Sequence, residues 1–138
     1  MYTKLIKQYE ELGYNEGAQL IADNLNLKME IKGMEFKDHW KEGVGRYVFK
    51  ICLKRDGKQY TFDFGQSIQA GSKEPTMYDV LTCLQKYDVE DFDYFCDTFG
   101  FDNDSRKAFK TYKAVVKEFE AMQRLFNSDE LDLLSVIN

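Results

Sequence analysis

The sequence predicts an α+β domain. A three-stranded antiparallel sheet carries amphipathic helices on one face, and the C-terminal half is all helix. Three observations predict it. Apolar residues alternate with polar ones in three runs, Leu25–Phe36 with a phase slip at Gly33, Tyr47–Leu53 and Tyr60–Phe64, the period-two signature of half-buried strands. Between the last two runs sits Asp56-Gly57, a two-residue loop suited to a type I′ hairpin, which needs positive φ at both central residues. From Pro75 onward the apolar residues recur every third or fourth position, the helical period. At 138 residues the chain is long enough to bury one core. It reads as a single domain: N-terminal helices over 1–26, the sheet over 27–66 and the helical part over 75–138.

Each element has its local warrant. Leu5, Ile6, Tyr9 and Leu12 share a helix face, and Gly13 is the stop. Ala18, Ile21, Ala22 and Leu25 repeat the pattern. Leu27, Met29 and Ile31 then alternate, and the phase slips at Gly33 so that Met34 and Phe36 continue it. A glycine at a phase slip marks a β-bulge. Tyr47, Phe49, Ile51 and Leu53 form one face of the second strand, and Tyr60, Phe62 and Phe64 one face of the third. That face needs a cover, which the C-terminal helices supply. Thr76-x-x-Asp79 is a capping-box pattern ahead of a stripe of Met77, Val80, Leu81 and Leu84. Asp88 is placed to cap a helix from about Val89 to Phe99 with the stripe Phe92, Phe95, Cys96 and Phe99, ended by Gly100. Asp104 or Ser105 caps a long helix with Ala108, Tyr112, Val115, Phe119, Met122 and Phe126 on one side. That stripe could serve a homodimer or the core. Ser128 is the expected cap of a last helix holding Leu131, Leu134 and Ile137.

Charge is distributed unevenly. Residues 74–104 hold nine acids and one base, residues 105–126 six bases and two acids, within a chain of net charge −5. Between Tyr87 and Ser105 carboxylates and aromatics interleave with no Lys or Arg. A disordered acidic tail would lack the aromatics. On the helix after Asp88, the residues Glu90, Asp93 and Asp97 share one outward face, where like charges one turn apart cost roughly 0.2–0.5 kcal/mol per pair. Two readings stay open. Lys107, Lys110, Lys113 and Lys117 of the next helix could neutralise these carboxylates within the fold. Alternatively, the face stays exposed and docks a basic partner. The candidate contact residues are Glu90, Asp93, Asp97, Asp102 and Asp104, with Tyr94 and Phe101, aromatics off the main stripe, as anchors.

Signals for chemistry are sparse. One histidine, His39, offers one imidazole base, and Gly65-Gln66-Ser67 lacks the second glycine of a nucleophile elbow. Cys52, Cys83, Cys96 and His39 show no close ligand spacing of the zinc type. Asp102-Asn103-Asp104 resembles the opening of a calcium loop, but Lys107 and Lys113 stand where Gly and Glu are required. No catalytic, cofactor or metal site is expected. Three widely spaced cysteines predict a reducing, cytoplasmic setting. The stretch MYTKLIKQYEE has no signal-peptide core, and no run approaches the roughly 18 apolar residues of a membrane span. A basic stripe of Lys28, Lys32, Lys50, Lys54, Arg55 and Lys58 on the sheet's outward side is the alternative, nucleic-acid-binding candidate.

Two stretches together, YTFDFGQSI at Tyr60–Ile68 and PTMYDVLTCLQKYDVEDFDYFCDTFGFDNDSRKAFKTYKAVVKEF at Pro75–Phe119, resemble small early-region proteins of bacteriophages and mobile elements. The resemblance spans Ile31 to Leu125. Such gene neighbourhoods include anti-CRISPR inhibitors and other blockers of host defence. The resemblance therefore implies a non-enzymatic inhibitor in the host bacterial cytoplasm whose partner is a host defence protein such as a CRISPR effector. The matched runs contain no catalytic motif. An acidic protein suits that role, because CRISPR effectors hold nucleic acid in positively charged channels.

Overall fold

The computed structural model describes residues 2–37, 45–67, 72–83 and 92–137. The order is α1 (Thr3–Leu12), α2 (Tyr14–Asn24), β1 (Lys28–Lys37), β2 (Arg46–Arg55), β3 (Lys58–Ser67), α3 (Met77–Cys83), α4 (Phe92–Phe99), α5 (Arg106–Met122), a 3₁₀ turn (Gln123–Leu125) and α6 (Ser128–Leu134). The three strands form one antiparallel sheet in the order β1-β2-β3, and the fold is α+β as the periodicity predicts.

Local chemistry accounts for most of the boundaries. Gly13, at φ 87°, ends α1 and leads directly into α2. Asp56 and Gly57 both take positive φ, and the β2–β3 ladder closes at Arg55 opposite Lys58, the geometry of a type I′ turn. The β1–β2 register shifts between Ile31 and Gly33, so the bulge falls at the phase slip. Beyond it Met34 and Phe36 keep to the apolar side, yet both remain exposed. Thr76 and Asp79 complete their capping box: the Thr76 backbone N–H donates to Asp79 Oδ2 at 2.8 Å, and the Asp79 N–H donates to Thr76 Oγ1 at 3.3 Å.

One caps differently from expectation. Asn127, not Ser128, is the N-cap of α6: its side chain accepts from the Glu130 N–H, and Glu130 reaches back to the Asn127 N–H, both at 2.9 Å. Glu130 lies three positions after Asn127, which is the spacing reciprocal capping needs.

The core forms two clusters. The larger joins α1, α2, the inner sheet face (Phe49, Ile51, Leu53, Phe62, Phe64), α3, the C-terminal turns of α5, and α6. The smaller joins α4 to the N-terminal half of α5 through Phe95, Cys96, Phe99, Phe101, Ala108 and Tyr112. The stripe of α5 is thus consumed by the two clusters rather than left for a homodimer: Ala108, Tyr112, Phe119 and Met122 are all buried.

A buried ion pair ties the layers together. Arg55, at the end of β2, donates Nε to the Leu25 carbonyl at 2.7 Å and Nη1 to the Leu125 carbonyl at 2.8 Å. It also grips both Glu130 carboxylate oxygens and lies over the Phe126 ring, 5.4 Å from its centroid. The two side chains are only 13% and 10% exposed. The Arg55 hydrogen bonds hold the Glu130 carboxyl below its ordinary range, against the opposing effect of burial.

Two stability predictions follow from these contacts. Glu130→Ala removes the two-point partner of Arg55 and leaves it the longer contact with the exposed Asp56 at 3.7 Å, which costs about 1.5–3 kcal/mol, measurable by urea denaturation at pH 7. Because the folded carboxyl titrates below its unfolded value of about 4.3, its contribution is full above that pH. It is lost as pH falls through the lower, folded value, so the gap between variant and wild type should close in acid. Gly17 is buried where α2 crosses α1, and a methyl there would run into the Tyr9 ring and come 3.0 Å from the Tyr9 carbonyl. Gly17→Ala should lower stability by about 1–2 kcal/mol, overpacking outweighing the gain in helix propensity; a higher melting temperature would contradict this.

Candidate functional site

α4 presents two chemically opposite faces. Its inner face is locked by aromatic packing. Phe95 meets Phe99 at 5.0 Å and Tyr112 at 5.3 Å between ring centroids, and Phe92 meets Phe109 at 5.4 Å. Its outer face carries Asp93, Tyr94 and Asp97, all exposed, Tyr94 by 57%. Asp93 and Asp97 stand one turn apart, where like charges repel by a few tenths of a kcal/mol. Asp93 falls in the first turn of Phe92–Phe99, where the helix dipole favours it. Asp97 falls in the last, where the dipole opposes it.

The structure corrects Phe101 as a surface anchor. Gly100, at φ 77°, ends α4, and the N–H groups of Gly100 and Phe101 both donate to the Cys96 carbonyl, at 2.9 and 3.0 Å. A residue two places past such a helix end is drawn against the last turn. Phe101 accordingly stacks on Phe95 at 5.9 Å and is 6% exposed. Of the two candidate caps of α5, Asp104 and Ser105, the structure uses the second. The Ser105 side chain accepts from the Ala108 N–H at 3.2 Å, and Asp102 and Asp104 stay exposed. Glu90, Asp88 and His39 lie outside the described residues.

The lysines of α5 leave these carboxylates uncovered. Among the described residues, no Lys or Arg nitrogen comes within 4.0 Å of Asp93, Asp97, Asp102 or Asp104. Lys113 instead sits over the Phe109 ring, 4.9 Å from its centroid. Among the described residues, no ion pair neutralises Asp93 or Asp97.

The basic stripe on the sheet is weaker than its sequence suggests. Glu30 pairs with Lys32 at 3.0 Å and with Lys54 at 3.3 Å, and Glu35 with Lys37 at 3.7 Å. The two lysines hold the Glu30 carboxyl below its ordinary range. Arg55 is withdrawn from the stripe altogether by its ion pair with Glu130.

A cleft of about 330 Å³ opens where α5 and the inner face of α4 meet the edge strand β3. Val48 and Gly65 line its sheet side, with Arg46 beside Gly65; Phe95 and Phe99 form a wall, and α5 contributes Lys110, Thr111 and Glu118. Gly65 matters because a Cβ there would stand 3.3 Å from Arg46 Cδ and 3.4 Å from Phe99 Cζ. Only a bare backbone leaves both side chains their places. Burial, reinforced by the like charge of Asp63, pushes the Glu118 carboxyl above its ordinary range, against the weaker opposing pull of the Asp63 backbone and Lys37. Burial pushes the Arg46 guanidinium down, against the attraction of Asp63.

Sequence reasoning missed this cleft. Its one local signal is the glycine within a strand, and the rest depends on bringing residue 118 to the edge of residue 63. No protein-family model, no curated protein and no solved structure matches the chain.

The cleft yields a pH prediction. A carboxyl whose folded pKa is raised favours the folded state in its neutral form, so that stability is present below the unfolded pKa and declines as pH rises through the folded one. Glu118→Gln, which stays neutral, should therefore have the higher melting temperature at pH 7. The difference should vanish at about pH 4 and below, where the unfolded glutamate is itself protonated. An equal difference at both pH values would show that Glu118 ionises without penalty.

Proposed function

We propose that this is a non-enzymatic binding protein of the anti-CRISPR type, which docks its acidic α4 surface onto a basic, nucleic-acid-holding surface of a host defence complex. The observation that carries the acidic-surface part is the exposed pair Asp93 and Asp97, uncovered by the α5 lysines and flanking the half-exposed Tyr94. Among the described residues no ion pair compensates their repulsion, and aromatic packing fixes the helix that carries them. A rigid anionic face with an aromatic at its centre suits a cationic groove: complementary charge speeds the encounter, and the ring supplies a desolvated contact. The choice of a host defence complex rests on the resemblance of Tyr60–Ile68 and Pro75–Phe119 to proteins of phages and mobile elements.

Capture from bacterial lysate, with wild type and Asp93→Lys/Asp97→Lys as parallel baits, tests the reading. Both positions are exposed, so the variant should keep its far-UV spectrum and melting temperature. Wild type should retain a defence nuclease at physiological salt and release it at about 0.5 M, as screened charges require, and the variant should retain at least tenfold less. Equal retention by both baits would refute the acidic surface. Tight DNA binding in fluorescence anisotropy, reduced by Lys50→Ala with Lys54→Ala, would favour the sheet face instead.

A further inference from the structure

We propose that the open side of β1 is an interface between two copies of this chain, the two strands pairing antiparallel across a two-fold axis at Met34. Among the described residues, no strand other than β2 pairs with β1. Arg55 and Lys58 flank a two-residue turn, so they exchange both backbone hydrogen bonds, and such pairs recur at every second residue along an antiparallel ladder. β2 therefore turns Arg55 and every second residue before it toward β3, and the residues between them toward β1. Met29, Ile31, Met34 and Phe36 stand opposite Leu53, Ile51, Phe49 and Tyr47, whose backbone groups are spent on β3. Their own N–H and C=O groups thus point away from β2, forming the row that an added strand uses.

The same four side chains lie on the inner face of the sheet. Met29 and Ile31 are half-buried against the main core, but Met34 and Phe36 stay 47% and 48% exposed. The backbone open to a partner therefore also carries the apolar surface that lacks cover. Between Ile31 and Met34, Gly33 leaves open space where a Cβ would stand, so a second backbone can approach the bulge.

Charge selects the occupant. The outward side chains of β1 alternate in sign through Lys28, Glu30, Lys32, Glu35 and Lys37, with Lys32 sharing the bulge with Gly33 opposite Lys50. Edge strands are commonly held apart by like charges. Two unstaggered copies of β1 would be, with Lys28 against Lys37 and Glu30 against Glu35. Centred on Met34 instead, the pair sets Glu30 against Lys37 and Lys32 against Glu35 on the outer face, and Ile31 against Phe36 on the inner. The opposite stagger also matches charges but leaves Phe36 past the end of the second strand. Within one chain Glu30 already meets Lys32 and Lys54, and Glu35 meets Lys37. The alternation therefore works by repelling the wrong register, not by supplying missing partners. A second β1 satisfies backbone, apolar cover and charge together, as a self-complementary two-fold contact must.

Sedimentation of the full chain tests the proposal. The 16.2 kDa chain should reach twice its mass, reversibly on dilution, by about 0.5 mM, since interfaces this small are weak. Glu35→Lys sets a lysine against Lys32 of the second copy, and Lys32→Glu sets a glutamate against its Glu35. Both positions are exposed, so each variant should keep its fold. The two-fold repeats each clash, so each should self-associate about tenfold more weakly than wild type. Mixed in equal amounts, the two variants should associate with each other about as tightly as wild type, because both opposed pairs are again Lys–Glu. Phe36→Ser, also exposed, should weaken association about tenfold by removing apolar cover on both sides of the axis. A chain that stays monomeric to that concentration, a dimer indifferent to Glu35→Lys or Phe36→Ser, or a mixture no tighter than its components would each overturn the proposal. None of these outcomes depends on the acidic surface of α4, so the two proposals stand or fall separately.

Discussion

Arg55 is the constraint on which the remaining architecture depends. A guanidinium buried at the end of a strand must have its donors satisfied and its charge balanced. Here it has the carbonyl that closes α2, the carbonyl that closes the turn after α5, and the carboxylate that opens α6. The carboxylate is already held by the capping box of Asn127, so the partner is placed before the pair forms. Such a pair adds less to net stability than its contacts suggest, because both ions pay for desolvation. What it supplies is geometry: three helix ends meet the sheet in one arrangement, since any other would take these acceptors from a largely desolvated guanidinium.

The consequences extend along α5. Its C-terminal end is held near Arg55 through Leu125, and Phe119 and Met122 seat it in the main core. Its N-terminal half offers Ala108 and Tyr112 to α4. The acidic helix is therefore mounted on a long helix whose far end is fixed, and its aromatic inner face leaves it one orientation. Asp93, Tyr94 and Asp97 are outward because Phe95, Cys96 and Phe99 have only one place to go.

That single helix separates an exposed surface from a cleft. The outer face of α4 meets a partner by charge. The inner face, through Phe95 and Phe99, walls the cleft whose other side is Arg46 and Gly65. The same division explains why the net charge of the chain is a poor guide to either surface. The bases of α5 are spent on a ring, on the cleft and on solvent rather than on their acidic neighbours.

What the sequence by itself determined is everything whose cause lies within a few residues. The type I′ turn at Asp56-Gly57, the bulge beside Gly33, the Thr76–Asp79 box and the stop at Gly100 all follow from local backbone chemistry, as does the alternation that sets the inner sheet face. Near misses such as Asn127 for Ser128 are one-residue choices between two competent caps. Phe101 failed as a surface residue because a helix end reverses the chain, and the reversal rather than the stripe decides where its ring goes. Only the tertiary structure decided the pairing of Arg55 with Glu130, the meeting of Asp63 with Glu118, and whether the α5 lysines reach Asp93 and Asp97. Each of those joins groups whose placement is set by the packing of whole elements, and a charge's energy depends on what that packing puts beside it and how much water it leaves.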